Sequence, residues 1–257
     1  MQWTDKKINE IVTQVCAHLE QQEVLSNNKD KLVIRYFIEP KKSLIIKLWS
    51  RPHLGGKVRQ LLNDTLAKKE WSALNHAHNC GINVPKVFGW SKLIENRNGF
   101  TEALVMEDIG QCRIAADYIK ECYEKNDLLA IKAFENSVIN MTRDMIKNKI
   151  LDIDHTLINI VLNEQNAVYR IDFELAKPVF SMTLNSFSYG EMLGRLLASY
   201  TFAISPNVEK VPMFFNELQR ILPKRIPFIA LWRAKRQLKH FMKRHEIRTS
   251  IKLDVHI

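Results

Sequence analysis

Two short apolar runs of this chain carry acidic and amide side chains that a hydrophobic core does not accept without compensation. "DIDHTLINIVL" begins at Asp152 and includes Asp154 and Asn159, and "AVYRIDF" includes Asp172. An ionised carboxylate is costly to bury unless a partner or a metal ion compensates it. The turn "NEQN" separates the two runs, so a short hairpin would bring Asp172 back to the level of Asn159. The pattern therefore predicts oxygen ligands gathered on one side of a cleft.

The spacing within these runs indicates a particular chemistry. Asp154 and Asn159 are five positions apart, which is the separation in the kinase catalytic-loop motif H-R-D-x-x-x-x-N. Asp172, in "IDFE", stands where kinases carry the aspartate of D-F-G. Phosphoryl transfer from ATP needs oxygen ligands for Mg²⁺ and an acid that orients the attacking hydroxyl. The three side chains together favour a magnesium-dependent phosphoryl transfer.

Upstream of these runs, a lysine and a glutamate occur at positions where a charged side chain is expected to be buried among apolar residues. Lys47 interrupts the apolar strand-like run "LIIKLW", and Glu70 falls on the apolar side of a predicted helix. Each charge would be costly to bury alone, whereas a buried pair compensates both. Kinases use such a Lys–Glu pair to position the phosphates of ATP. Two simpler interpretations stay open, namely that Lys47 extends to solvent from an edge strand and that Glu70 is solvated.

Apolar spacing divides the chain into a strand-rich part and a mainly helical part. The first contains a helix over 5–22, strands in "KLVIRYFI", "SLIIKLW", "VPKVFGWSKL" and "TEALVMEDI", and a helix in "TLAKKEWSALNHAHNCG". Helical spacing dominates from Cys112 onwards. We therefore expect an α+β fold in which residues 1–109 form a small β-rich lobe and residues 110–222 form a helical lobe.

Composition narrows the class of protein. A chain of 257 residues with 46% hydrophobic residues is typical of an ordinary globular domain. The first residues, "MQWTDKKINEIVTQVC", lack the apolar run of an export signal, and no stretch is long and apolar enough to span a membrane. The four cysteines are far apart, without a CxxC pair, so reduced thiols are expected and a zinc site is not. We expect a cytoplasmic protein.

The positive charge is concentrated at the C-terminal end. The formal net charge is +10, and residues 224–252 contain ten Lys or Arg residues and one acid, Glu246. Apolar residues that include Phe228 and Trp232 alternate with these charges. We therefore predict that residues 223–257 form a basic amphipathic tail. Such a helix can lie on an anionic membrane surface, although packing on the helical lobe stays open and binding to nucleic acid is less favoured.

At the level of ordered motifs, the chain resembles kinase-like phosphotransferases, and in particular the bacterial lipopolysaccharide (Kdo/heptose) kinase family. The matching stretches are, in order, "LIIKLW", "AKKEWSALNHAHNCGINVPKVFGW", "EALVMEDIG", "DIDHTLINIVL" and "YRIDFELAK". They span about residues 40–180. The resemblance implies a bilobal protein-kinase-like fold with a reduced helical lobe.

The resemblance also implies a role for each matching residue. Asp154 would be the catalytic aspartate, and Asn159 and Asp172 would bind Mg²⁺, with Glu174 as a further candidate ligand. Lys47 would hold the phosphates of ATP and Glu70 would orient it. The adenine would meet backbone groups of three consecutive hinge residues, which are Met106, Glu107 and Asp108. The implied reaction is phosphorylation of a sugar hydroxyl on the lipopolysaccharide core or a related glycolipid, at the inner face of the inner membrane.

Three departures from the kinase pattern keep other functions open. "NNKDKLVIRYFIEPKK", which precedes Lys47, contains no glycine, so a G-x-G-x-x-G loop is missing. Asp152 replaces the histidine of H-R-D, and an A-P-E segment is missing, which argues against a protein substrate. The alternatives are an aminoglycoside- or choline-type phosphotransferase and an inactive kinase-like binding protein. The acidic residues could also form a polar turn or, as Asp152-Ile153-Asp154, the D-x-D motif of a glycosyltransferase.

Overall fold

The computed structural model describes residues 3–28, 30–40, 42–50, 64–93, 99–181, 184–220 and 225–244. The chain divides into two compact units. The first unit comprises residues 1–79 and 84–109, and the second comprises residues 80–83 and 110–257. Most of the stretches "SRPHLGGKVRQ" and "IENRNG", and the tail beyond Arg244, lie outside the described residues.

In the described residues, the first unit consists of a five-stranded antiparallel sheet and two helices. Its elements are α1 (Asp5–Ala17), β1 (Glu23–Asn28), β2 (Lys31–Glu39), β3 (Lys42–Trp49), α2 (Leu66–Asn79), β4 (Val87–Lys92) and β5 (Glu102–Glu107). The strand order is β1-β2-β3-β5-β4. The predicted strands "KLVIRYFI" and "SLIIKLW" are confirmed as β2 and β3, which pair as a hairpin.

One hydrophobic core joins helix α1 to the sheet. Apolar residues at helical spacing on α1, including Ile8 and Val12, pack against alternate residues of the strands such as Ile34 and Ile46. Helix α1 comes so close to β4 that a Cβ atom at Gly89 would lie 2.9 Å from Cγ1 of Ile8. The core therefore fixes β3, which is a central strand and carries Lys47.

Strand β1 was not predicted from the sequence. Its residues are mostly exposed, and it lies at the edge of the sheet beside β2. An edge strand with little buried surface needs no alternation of apolar and polar residues, so the usual sequence signal is missing.

The second unit is mainly helical. Its elements are β6 (Arg113–Ile114), α3 (Ala115–Glu124), α4 (Leu128–Lys147), β7 (Ile150–Asp152), β8 (Ile160–Leu162), β9 (Val168–Arg170), β10 (Ala176–Pro178), α5 (Ser186–Ala203), α6 (Val211–Arg220) and α7 (Arg225–Arg244). The strands form a two-stranded and a three-stranded antiparallel sheet, in which β8 and β9 form the predicted hairpin. Helix α5 lies in the core, where Tyr189, Leu196 and Tyr200 are fully buried.

Residues Arg225–Arg244 of the basic C-terminal segment form helix α7, which packs on α5. Ile226, Ala230, Leu231 and Ala234 of α7 are buried, whereas Phe228 and Trp232 are exposed. The described part of the tail thus packs on the helical unit and still presents aromatic side chains to solvent. Among the residues that the structure describes, none of the helices has the length and hydrophobicity of a membrane span.

Candidate functional site

Asp154 and Asn159 are in direct contact. Strand β7 ends at Asp152, a turn follows, and one turn of 3-10 helix (Leu157–Asn159) leads into β8. The side-chain amide of Asn159 donates from Nδ2 to Oδ2 of Asp154 at 2.8 Å and to the Asp154 carbonyl oxygen at 3.1 Å. Because Nδ2 faces Asp154, the amide oxygen of Asn159 is directed elsewhere and can serve as a ligand.

The β8–β9 hairpin brings Asp172 to the same end as Asn159. Ile160 pairs with Arg170, and the backbone amide of Ile171 donates to the carbonyl of Asn159 at 2.9 Å. Asp172 follows with a φ of 63°, in the left-handed region that non-glycine residues rarely adopt. Such conformations concentrate at functional sites, where the surrounding structure enforces them.

The donor set at this end of the hairpin fits Mg²⁺. Magnesium prefers hard oxygen ligands and is usually held in proteins by one or two carboxylates together with phosphate oxygens. Asn159 offers an amide oxygen, and Asp172 and Glu174 offer carboxylates on half-buried side chains. The side chain between them, Phe173, is fully buried and fixes the segment in the core.

A buried ion pair holds the loop that carries Asp154. Asp152 and Arg170 are both fully buried, and Nη2 of Arg170 donates to Oδ2 of Asp152. The other oxygen of Asp152 accepts from the backbone amide of Asp154 at 3.0 Å. Burial raises the pKa of Asp152, and the adjacent guanidinium of Arg170 opposes this effect. Asp152 is thus part of the architecture of the loop.

Arg170 extends this support to backbone atoms. Its guanidinium donates to the carbonyl oxygens of Asn159 at 2.7 Å and Asp154 at 3.0 Å, as well as to that of Ile171. The sequence analysis missed Arg170, although a detectable signal was present. It interrupts the apolar run "AVYRIDF" as Lys47 interrupts "LIIKLW".

Arg195 of α5 is a second residue that the sequence analysis missed. Its Nη1 donates to Oδ1 of Asp154 at 3.2 Å, so both carboxylate oxygens of Asp154 accept hydrogen bonds. Arg195 lies 41 residues from Asp154 in sequence, on a separate helix. Sequence spacing carries no signal for such a contact.

His155, the residue after Asp154, is completely buried. Its Nε2 and the hydroxyl of Thr142 on α4 form a hydrogen bond of 2.9 Å. Burial, with a further contribution from Arg170, lowers the pKa of His155 to about 3. The imidazole is therefore neutral near pH 7 and ties the loop to α4.

In the first unit, Lys47 and Glu70 form the ion pair that the sequence suggested. Nζ of Lys47 donates to Oε1 of Glu70 at 2.6 Å, and the two side chains are 8% and 0% exposed. Lys47 lies on β3, opposite Val33 of β2 and Leu104 of β5, so it does not extend to solvent from an edge strand. The two simpler interpretations are therefore wrong, whereas the roles of the pair towards ATP stay predictions.

The three predicted hinge residues lie at the end of β5. Met106 is buried, and the backbone amide of Glu107 donates to the carbonyl of Lys86 at 2.8 Å. The carboxylate of Asp108 accepts from Nε of Arg35 and from the hydroxyl of Ser43, both at 2.6 Å. The side chain of Asp108 thus ties the segment to β2 and β3, and contact with an adenine through backbone groups stays a prediction.

Comparison with known proteins identifies the fold. A family model of the RIO domain matches residues 54–179, a range that includes Glu70, Asp154 and Asp172 but not Lys47. A solved structure of WaaP in complex with acyl carrier protein matches with a TM-score of 0.58 and 16% sequence identity, and the match covers 90% of each chain. No curated protein matches the sequence.

These findings define the class of the protein. The chain has the α+β fold of a kinase-like protein, with an N-terminal antiparallel sheet and a mostly helical C-terminal part. In fold the chain resembles WaaP, and the kinase-like character that the ordered sequence motifs suggested is confirmed.

Proposed function

We propose that the protein is an ATP- and Mg²⁺-dependent kinase that phosphorylates a sugar hydroxyl on the lipopolysaccharide core or a related glycolipid. The observation that carries this proposal is the contact between Asp154 and Asn159 at the end of the hairpin to which Asp172 returns. This arrangement provides an acid to orient a hydroxyl and oxygen ligands for a metal ion. The kinase-like fold supports the proposal independently.

Asp154 is the residue that orients the acceptor in this proposal. Its carboxylate accepts the hydrogen of the attacking hydroxyl, so that the hydroxyl oxygen faces the phosphoryl group. Asn159 and Arg195 each donate to one oxygen of this carboxylate. The carboxylate is thereby held in one orientation before the acceptor binds, which lowers the entropic cost of reaching the reactive geometry.

The remaining roles follow the kinase pattern. Asn159 and Asp172 would hold Mg²⁺, with Glu174 as a further ligand, and Mg²⁺ would supply positive charge against the transferring phosphoryl group. Lys47 holds the phosphates of ATP, and Glu70 keeps the ammonium group in place through the 2.6 Å contact. Backbone groups of residues 106–108 bind the adenine.

We further propose that the protein is cytoplasmic and that α7 binds the anionic inner face of the inner membrane. Phe228 and Trp232 are 62% and 47% exposed, although both are large and apolar. Exposed cations, Lys235 and Lys239, lie on the same helix. An aromatic and basic helical surface combines apolar insertion with attraction to anionic lipid, which fits an acceptor anchored in a membrane.

One observation favours a second candidate, a kinase-like regulatory protein that binds nucleotide without turnover. Asn28 pairs with Lys31 at the end of the β1–β2 hairpin, so only two residues connect these strands. Kinases place the Gly-rich loop over the phosphates before the strand of the lysine. A two-residue connection without glycine offers fewer backbone amides to the phosphates.

Phosphate transfer to a purified lipopolysaccharide-core acceptor, measured with ATP and Mg²⁺, tests the proposal. The wild-type protein should phosphorylate the acceptor, and Asp154→Asn should lower kcat by about 1,000-fold because a carboxamide is a poor acceptor for the hydroxyl hydrogen. Arg220→Met, a change at an exposed residue of α6, should leave kcat unchanged. ATP binding without turnover in the wild type would favour the regulatory candidate instead.

Co-sedimentation with vesicles tests the membrane proposal separately. Trp232→Ser should weaken binding to vesicles that contain anionic lipid, because it removes an exposed apolar side chain from α7. Phe202→Ser removes an equally exposed aromatic side chain from α5 and serves as the matched control. Equal binding by wild type and Trp232→Ser would contradict the assignment of this surface.

A further inference from the structure

Helices α5 and α7 approach each other closely through two glycines. A Cβ atom at Gly190 would lie 2.3 Å from Cγ2 of Ile229, and one at Gly194 would lie 2.9 Å from the carbonyl oxygen of Ala230. Side chains at these positions would force the helices apart. The glycines thus allow α7 to pack against the face of α5 that also carries Glu191.

Glu191 of α5 interacts with two arginines through one oxygen. Its Oε1 accepts a hydrogen bond from Nη2 of Arg233 on α7, and the same oxygen lies 3.7 Å from Nη2 of Arg195 on α5. Glu191 and Arg233 have side chains that are 21% and 19% exposed, so solvent screens this contact only partly. Of the two arginines, Arg233 has the shorter contact with Glu191, and Arg195 interacts with Glu191 more weakly.

The other terminal nitrogen of the Arg195 guanidinium contacts the proposed catalytic carboxylate. Nη1 of Arg195 donates to Oδ1 of Asp154 at 3.2 Å. The four side chains Arg233, Glu191, Arg195 and Asp154 thus form a chain of alternating charge from the C-terminal helix to the catalytic loop. Each carboxylate in this chain competes for the single guanidinium of Arg195.

We propose that Arg195 is a positioning residue for Asp154 and that the docked helix α7 controls it by occupying Glu191 with Arg233. While Arg233 binds Glu191, Arg195 donates to Asp154 and holds its carboxylate in one orientation. When Arg233 is removed or α7 shifts, Glu191 attracts Arg195 and draws it away from Asp154. This inference rests on the proposed function, because it assigns a regulator to the same catalytic residue.

The competition for Arg195 predicts a second-site rescue. Arg233→Met should lower kcat by about 10-fold, because small displacements of a catalytic group are costly, and should leave the KM for ATP unchanged. The double variant Arg233→Met/Glu191→Gln should regain most of the lost kcat, because a neutral amide attracts Arg195 weakly. A purely structural role of Arg233 predicts no such rescue, since the second change would add to the damage. Arg195→Lys should keep part of the activity that Arg195→Met loses.

A measurement of thermal stability tests the same coupling without turnover. The double variant Asp154→Asn/Arg233→Met should lose about 2 °C less in Tm than the sum of the two single losses. The reason is that both changes weaken the same contact, the one between Arg195 and Asp154. The pair Asp154→Asn and Arg220→Met, in which Arg220 binds Glu217 on α6, should be additive.

The two measurements separate the failure of this inference from the failure of the proposed function. Unchanged turnover in Asp154→Asn would refute the proposed function, and the coupling of Tm would still decide whether α7 acts on Asp154. Conversely, loss of turnover in Asp154→Asn combined with additive Tm shifts and no rescue by Glu191→Gln would overturn the inference alone.

Discussion

Among the described residues, two buried ion pairs bind different parts of the protein. In the second unit, Asp152 and Arg170 bond not only to each other but also to the backbone of the loop that carries Asp154. In the first unit, the pair of Lys47 and Glu70 joins the side chain of a central strand to that of a helix. The pair of Asp152 and Arg170 is explained by the loop that it holds. The pair of Lys47 and Glu70 instead holds an ammonium group that the proposed function needs.

A buried ion pair is in itself weak evidence for stability. Its desolvation cost often equals the Coulombic gain, and an apolar pair of similar volume can serve equally well. A pair that also satisfies backbone groups cannot be replaced in this way, since those groups would lose their partners. The two pairs should therefore respond differently to single and double substitution.

The largest effect is expected for Arg170→Met. This change leaves Asp152 buried without its cation and removes the donor from the carbonyls of Asn159 and Asp154. We expect a loss of about 5 kcal/mol in the free energy of unfolding, measured by urea denaturation. Adding Asp152→Asn should recover less than half of it, because the backbone carbonyls still lack their donor. Full recovery would show that Asp152–Arg170 is equivalent to a simple side-chain pair.

A somewhat smaller loss of stability is expected for Lys47→Met, which leaves the carboxylate of Glu70 fully buried. The expected cost is about 3 kcal/mol in the free energy of unfolding. The double variant Lys47→Met/Glu70→Leu should regain the wild-type free energy of unfolding, because an apolar pair replaces the ionic one. ATP binding, measured by calorimetry, should nevertheless stay lost. Wild-type ATP affinity in the stable double variant would assign the pair to stability alone.

The smallest expected effect is a pH dependence of Tm that arises from His155, in the loop of the second unit. His155 has a pKa of about 3 in the folded protein and an ordinary pKa near 6.5 when unfolded. Because the unfolded chain binds the proton more readily, the contribution of His155 is complete above about pH 6.5 and decreases as the pH falls towards 3. His155→Gln removes this titration, so its Tm should fall less than that of wild type between about pH 7 and about pH 5. An equal fall in both proteins would contradict a buried neutral histidine.

The sequence was most informative where a charge stands alone among apolar residues. Lys47 and Glu70 could be paired in advance because each would be costly to bury by itself, and strands β2 and β3 followed from their apolar alternation. Arg170 offered the same signal within "AVYRIDF" and could have been recognised. The spacing of Asp154 and Asn159 indicated a kinase-type catalytic loop, and the structure brings these two side chains into contact.

Other features have no local signal. Strand β1 is an exposed edge strand, so burial leaves no pattern on its sequence. The contacts of Arg195 with Asp154 and of Arg233 with Glu191 join residues that are 41 and 42 positions apart. They depend on how closely α5 and α7 pack, which the small size of Gly190 and Gly194 permits. Such contacts require the tertiary structure.

The most direct test of the central claim is a thermal-shift titration with ATP and Mg²⁺, in which wild type is compared with Asp172→Ala. A ligand that binds the folded state raises Tm, and the shift grows with ligand concentration. We predict that ATP with Mg²⁺ raises the Tm of wild type and that Asp172→Ala loses the part of the shift that depends on Mg²⁺. Identical Mg²⁺-dependent shifts in the two proteins, or no shift in wild type, would contradict the assignment of a metal–nucleotide site to this chain.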